Sequence, residues 1–176
     1  MEKSRTNKWV QIGSLALGIA LLPPLWAVLA PLLGVRPGAV ALICAGVYVA
    51  AGNQRQKALP MINGFLLGDL WAVLSLWLMA ILNFNPQVEL YLVLFVFGGM
   101  AVVGGENLPR YIYTPAWLCG WAIGLTVMGN LAVTKLGSLP FEIGIAMVVG
   151  VIYVGIGVAS FQQWLIEKIA KHEGGH

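Results

Sequence analysis

Residues 60–82 read PMINGFLLGDLWAVLSLWLMAIL. The run opens on a proline, contains one acid, Asp69, and has no basic residue. About 20 apolar residues cross the hydrocarbon core of a bilayer as a helix, and this run is long enough. Backbone groups in lipid must bond within their own segment, so a helix is the only sensible reading. The alternation expected of a barrel strand is absent. Working outward, runs of the same kind fill the chain at about 9–30, 37–52, 88–104, 114–133 and 140–164, bounded by charge, Pro, Gly and Asn. Over the 176 residues, 59% are hydrophobic and 10% charged. A soluble domain is about 25% charged, so this chain lacks the polar surface of a globule in water. The expected fold is an all-α integral membrane protein, a bundle of six transmembrane helices forming one membrane domain over 1–176.

Charge sets the expected orientation. With the N-terminus inside, the inner segments hold Lys3, Arg5, Lys8, Arg55, Lys57, Arg110, Lys168 and Lys171, while the outer loops hold only Arg36 and Lys135. That bias follows the positive-inside rule and puts both termini in the cytoplasm of a cell whose inner membrane the chain crosses several times. The loop Asn83-Phe84-Asn85-Pro86-Gln87, with no basic residue, falls outside. The net charge of +3 comes from residues standing singly at segment ends, a topology signal and not a nucleic-acid face. The basic start and Val28-Leu29-Ala30 resemble a signal peptide, but Pro31 follows directly and the apolar stretch is long for one. We therefore expect a retained helix.

The halves 9–82 and 88–164 share punctuation at an offset near 77–80 residues. Gly52-Asn53 ends the second helix and Gly129-Asn130 the fifth. Leu59-Pro60 with Gly64 opens the third, and Leu139-Pro140 with Gly144 the sixth. An odd number of helices per half makes the second half enter from the opposite side, an inverted repeat of the kind transporters use. Ordinary helix punctuation gives the same marks, since Gly-Asn ends helices and Leu-Pro starts them. Pro23-Pro24 in the first helix and Gly98-Gly99 in the fourth are expected to break or kink their helices at matching levels. They mark either a central pathway or a packing kink. Gly64-x-x-x-Gly68 and Gly120-x-x-x-Gly124 allow close helix contact, within the bundle or in a homo-oligomer.

Asp69 carries the strongest chemical signal. A carboxylate near the bilayer midplane costs about 2.5–3.5 kcal/mol on insertion scales. It is expected to serve as a proton relay or solute-binding group, or else to be tied up structurally, for example by Asn63. Asn63, Trp71 and Glu142 are the other candidates for a solute pathway. Glu142 lies in the first turn after Pro140, where it can simply complement the helix dipole. Trp71, Trp117 and Trp121 either narrow a pore or fill the bundle. Glu106 and Arg110 either pair across an inner gate or lie in a solvated loop. Cys44 and Cys119 read as buried small hydrophobes. The histidines, His172 and His176, are confined to the tail. No Ser/His/Asp set, phosphate-cradling glycine loop or paired-cysteine motif is present. We expect no enzyme activity, no cofactor, no metal site and no nucleic-acid partner.

Cys44, Tyr48, Gly68, Trp71 and Ala72, together with Tyr113-Thr114-Pro115-Ala116-Trp117-Leu118-Cys119-Gly120, carry a resemblance. This pattern resembles the YcdZ-like family of small bacterial inner-membrane proteins, a domain of unknown function, over about two thirds of the chain. The chain departs from that pattern at Asp69 and at the polar loop Asn53-Gln54-Arg55-Gln56-Lys57. The resemblance implies a membrane protein and supplies no functional residues. From the residues, the expected function is a channel or transporter for a small neutral or weakly ionised solute. The alternative is a non-transporting membrane subunit or scaffold that docks a partner, including the substrate-capturing subunit of a vitamin transporter.

Overall fold

The computed structural model describes residues 2–82 and 85–173. Asn83 and Phe84 of the expected outer loop, and His176 of the tail, lie outside the described residues. Among those residues the chain is helical and has no strand. α1 spans Glu2–Leu29 and passes into a short 3-10 turn at Ala30–Leu33. Next come α2 (Val40–Ala50), α3 (Ala58–Leu82), α4 (Pro86–Asn107) and α5 (Thr114–Met128). The last rod is continuous: α6 (Leu139–Val149), a π-helical stretch at Gly150–Ile156, then α7 (Gly157–Glu173).

Four of these rods are long and apolar enough to cross a membrane: Trp9–Leu33, Arg55–Leu82, Pro86–Asn107 and Leu139–Ile169. The other two are shorter than the hydropathy pattern implies. At 1.5 Å per residue α2 is about 16 Å long and α5 about 22 Å, against a hydrocarbon core of about 30 Å. α2 stops because Gly52 (φ +86°) and Asn53 (φ +56°) adopt the left-handed conformation that closes a helix. α5 stops at Met128, short of residue 133, and Val133–Lys135 form a separate 3-10 turn. The apolar residues between them kept the run looking longer than the helix.

The expected breaks at Pro23-Pro24 and Gly98-Gly99 do not end their helices. α1 runs through both prolines and α4 through both glycines. The irregular turn lies at Gly150–Ile156, where the Gly157 N–H donates to the Ile152 carbonyl, five residues back. That bonding pattern places one extra residue in the turn.

α3 and α5 run parallel in the closest crossing. The Tyr113 N–H donates to the Pro60 carbonyl at 2.9 Å, joining their starts. A methyl group on Gly64 would lie 2.7 Å from the Tyr113 carbonyl oxygen, and one on Gly120 2.5 Å from that of Phe65. Gly68 faces the Trp117 carbonyl, and Gly124 faces Ala72. The two GxxxG stretches therefore face each other within the chain, backbone to backbone. α2 lies parallel to the π stretch in the same manner. A methyl on Gly150 would fall 2.7 Å from Ala41 Cα, and one on Gly155 2.8 Å from Tyr48 Cδ1. α1 packs antiparallel on α7, with Gly18 against Val158 and Gln162 Nε2 donating to the Gln11 carbonyl. α4 lies against α5 and α3, with Gly105 on Thr114 and Gly98 on Trp121.

The core contains Tyr48, Met61, Phe65, Ile143 and Met147, all fully buried. The outside is also apolar: Leu32, Leu59, Phe95, Val103 and Phe141 are among its most exposed side chains. Apolar residues on both inside and outside are what a bilayer, and not water, would accommodate.

Candidate functional site

Asp69 is the twelfth of the 25 residues of α3, almost at its centre. The residue is only 7% exposed, and its buried Oδ1 has no hydrogen-bond partner. It lines a 640 Å³ cavity between α3 and α6, with Leu66, Leu70 and Val73 on one wall and Phe141, Ile145 and Val148 on the other. Gly124 of α5 stands behind the carboxylate, and a methyl there would lie 3.3 Å from Oδ1. Burying an unpaired polar atom is costly, and buried polar groups are nearly always paired. A buried carboxylate with an orphaned oxygen, on a residue that lines a cavity, is the kind of exception that points to a ligand or a proton.

Asn63 does not hold Asp69. Its Nδ2 donates to the Tyr111 carbonyl at 3.0 Å. It lines a second cavity of 390 Å³ that shares Leu66 and Leu70 with the first. The two polar residues thus stand on adjoining cavities along α3.

Trp71 lines neither cavity. Its Nε1 donates to the Phe97 carbonyl at 3.1 Å, and its ring packs on Phe97 and edge-on to Trp117. Trp121 completes this layer between α3, α4 and α5, donating from Nε1 to Ser75 Oγ at 2.9 Å. Ser75 in turn donates to the Trp71 carbonyl at 2.7 Å. Ser75 is fully buried, and sequence reasoning passed over it because one hydroxyl on an apolar helix carries no pattern.

Glu142 is engaged at the start of α6. It accepts from Ser138 Oγ at 2.8 Å and from the Arg36 N–H at 3.2 Å, with Arg36 Nε 3.7 Å away. These bonds tie the first turn of α6 to the loop after α1. Glu106 accepts from Thr114 Oγ1 at 3.0 Å, across the connection between α4 and α5. Pro23 and Pro24 border a 410 Å³ cavity with Trp26, Leu42 and Val154. Gly98 lies against Trp121, while Gly99 has open space beside it.

Taken together, the described residues define an all-α protein with four helices long and apolar enough to span a bilayer and a buried acid near the middle of α3 with one oxygen unpartnered. Residues 16–164 match the family described as "Protein of unknown function (DUF1097)", and the chain belongs to that family. No curated protein and no solved structure matches the chain.

Proposed function

We propose that this chain is a multi-pass protein of the bacterial inner membrane that carries a small neutral or weakly ionised solute, as a channel or transporter. The observation that carries the reading is Asp69, a buried acid near the middle of a long apolar helix that lines a cavity and has one oxygen without a partner. Ionisable groups inside membranes sit on substrate and proton pathways more often than elsewhere.

The helix arrangement supports the same reading. α2 and α5 are the short helices, and each is the second of its half. Short segments at corresponding positions of two halves mark the site in inverted-repeat transporters. The parallel pairing of α3 with α5 has a counterpart in the parallel pairing of α2 with the α6 rod. These are the two pairs that an inverted two-fold exchanging residues 9–82 with 88–164 would interchange. In this reading α2 and α5 are short spans, all six rods cross, both termini face the cytoplasm, and the chain is a YcdZ-like member of its family. Asp69 is the binding or proton-coupling group, and the adjoining Asn63 cavity extends the path.

The test is flux. Proteoliposomes holding the wild type should pass glycerol, urea or methylamine faster than protein-free vesicles in stopped-flow light scattering. Asp69→Asn should return the rate to background while the protein remains monodisperse and helical. Wild-type-like flux in that variant removes Asp69 from the mechanism, and no flux of any panel member by the wild type counts against transport.

A second reading, a non-transporting subunit or scaffold, is favoured by the lateral opening of the Asp69 cavity. Leu70 and Phe141 stand exposed at its sides, where a partner helix could lie. A stable stoichiometric partner on purification, with no flux by the chain alone, is the result that would select it.

A further inference from the structure

We propose that the cavity between α3 and α6 binds lipophilic amines, taken up sideways from the bilayer, with the Asp69 carboxylate as their counter-group. The inference rests on the membrane reading above and assigns the class of molecule the site accepts.

The cavity's chemistry is nearly uniform. Every residue lining it except Asp69 is apolar. No basic side chain and no side-chain hydrogen-bond donor other than a protonated Asp69 stands on its walls. An anion would find no partner there and would face the acid. A sugar or polyol would leave most of its hydroxyls unpaired, each at a cost. A complementary guest has an apolar body and a single N–H donor or positive charge, placed to reach the Asp69 carboxylate. A protonated amine pairs with the carboxylate by a charge-assisted hydrogen bond, among the strongest available to such a group. The cavity, 640 Å³, lies within the range of about 300–1,000 Å³ typical of small-molecule sites.

The entrance indicates the route. Leu70 is 52% exposed and Phe141 73% exposed, and both border the cavity. On a helix face turned to lipid, that opening admits a molecule already dissolved in the membrane. A weak base enters the hydrocarbon in its neutral form and can take or share a proton once beside Asp69. Gly144, also on the cavity wall, keeps that side open, since a methyl there would meet Leu66 Cδ2 at 3.3 Å.

The experiment uses the full chain in nanodiscs and radiolabelled 2-phenylethylamine, with empty nanodiscs subtracted for partitioning. Two competitors share its skeleton: phenylacetate, an anion, and ethylbenzene, which has no polar group. Saturable binding of the amine is expected, with phenylacetate failing to compete. Asp69→Asn should weaken binding by about tenfold to a hundredfold, the worth of a charge-assisted bond. Val148→Phe, which fills the cavity from α6 and leaves the acid in place, should abolish it. Because Val148 is half-buried at the cavity edge, that variant guards against a folding defect in the first. Undiminished binding in both variants, or equal competition by phenylacetate, overturns the proposal.

Failure of the transport reading is a separate outcome. Amine binding that depends on Asp69, with no flux, leaves this site in place and removes transport. Flux of urea or glycerol that depends on Asp69, with no amine binding, removes the amine and leaves transport.

Discussion

Replacing Gly68 by alanine should separate α3 from α5. A methyl on Gly68 would overlap the Trp117 carbonyl oxygen, lie 2.5 Å from the Trp121 nitrogen and 2.8 Å from the Gly120 carbonyl carbon. All three atoms are backbone, so none can rotate away. Carbon atoms in contact sit about 3.5–4.0 Å apart, and the helices would have to part by about 1 Å. Overpacking of this kind costs about 1–3 kcal/mol, and the rigid opposing surface puts Gly68 at the upper end. Alanine returns about 1 kcal/mol as a better helix former, leaving a net loss of about 2 kcal/mol. For a chain of this size, about 2–4 °C of Tm accompanies each kcal/mol, so the melting temperature in detergent should fall by about 4–8 °C. Gly46→Ala and Gly99→Ala are the controls. Both are exposed helical glycines with nothing within 4 Å of the added carbon, and each should melt at or slightly above the wild type. Equal melting temperatures for Gly68→Ala and the two controls would refute the close crossing.

Other substitutions probe the remaining contacts. Trp121→Phe and Ser75→Ala each remove the same buried hydrogen bond and should each cost about 1 kcal/mol. The double variant should cost less than the sum, as measured by unfolding of all three proteins. Glu142→Ala removes the bonds to the Ser138 hydroxyl and the Arg36 N–H, both on exposed residues that water can serve, and should cost about 0.5–1.5 kcal/mol. Arg36→Ala should stay within about 0.5 kcal/mol, because the Arg36 side chain is 82% exposed and its ion pair is screened. Asp69→Asn should melt at or above the wild type even where function is lost, since it relieves an unpaired buried carboxylate. A marked drop in its melting temperature would mean that Asp69 supports the fold.

What could be read from the residues divides along physical lines. A helical membrane-type chain was legible because a 20-residue apolar run has few other solutions. Asp69 was legible because one acid in such a run stands out by its cost. The true lengths of α2 and α5 were not, because hydropathy runs on through Leu131 and Val133 after the helix has closed at Gly129. The π stretch was hidden too, although Gly150 and Gly155, five apart, left a trace: two small residues one wide turn apart. The pairings of Trp71 with the Phe97 carbonyl, and of Glu142 with Arg36 across 106 positions, depend on tertiary approach. Nothing local in the sequence encodes them.

The wide turn at Gly150–Ile156 has one more bearing. A regular helix keeps a constant phase, so the side facing a neighbour at one end faces the same direction at the other, slowly drifting. One additional residue in a single turn resets that phase partway down the rod. α6 packs on α3 and α2, the wide turn presents Gly150 and Gly155 to α2, and α7 then packs on α1. One continuous rod therefore addresses separate neighbours on different bearings without a loop. Its two ends have to be read in separate helical registers when their buried faces are assigned.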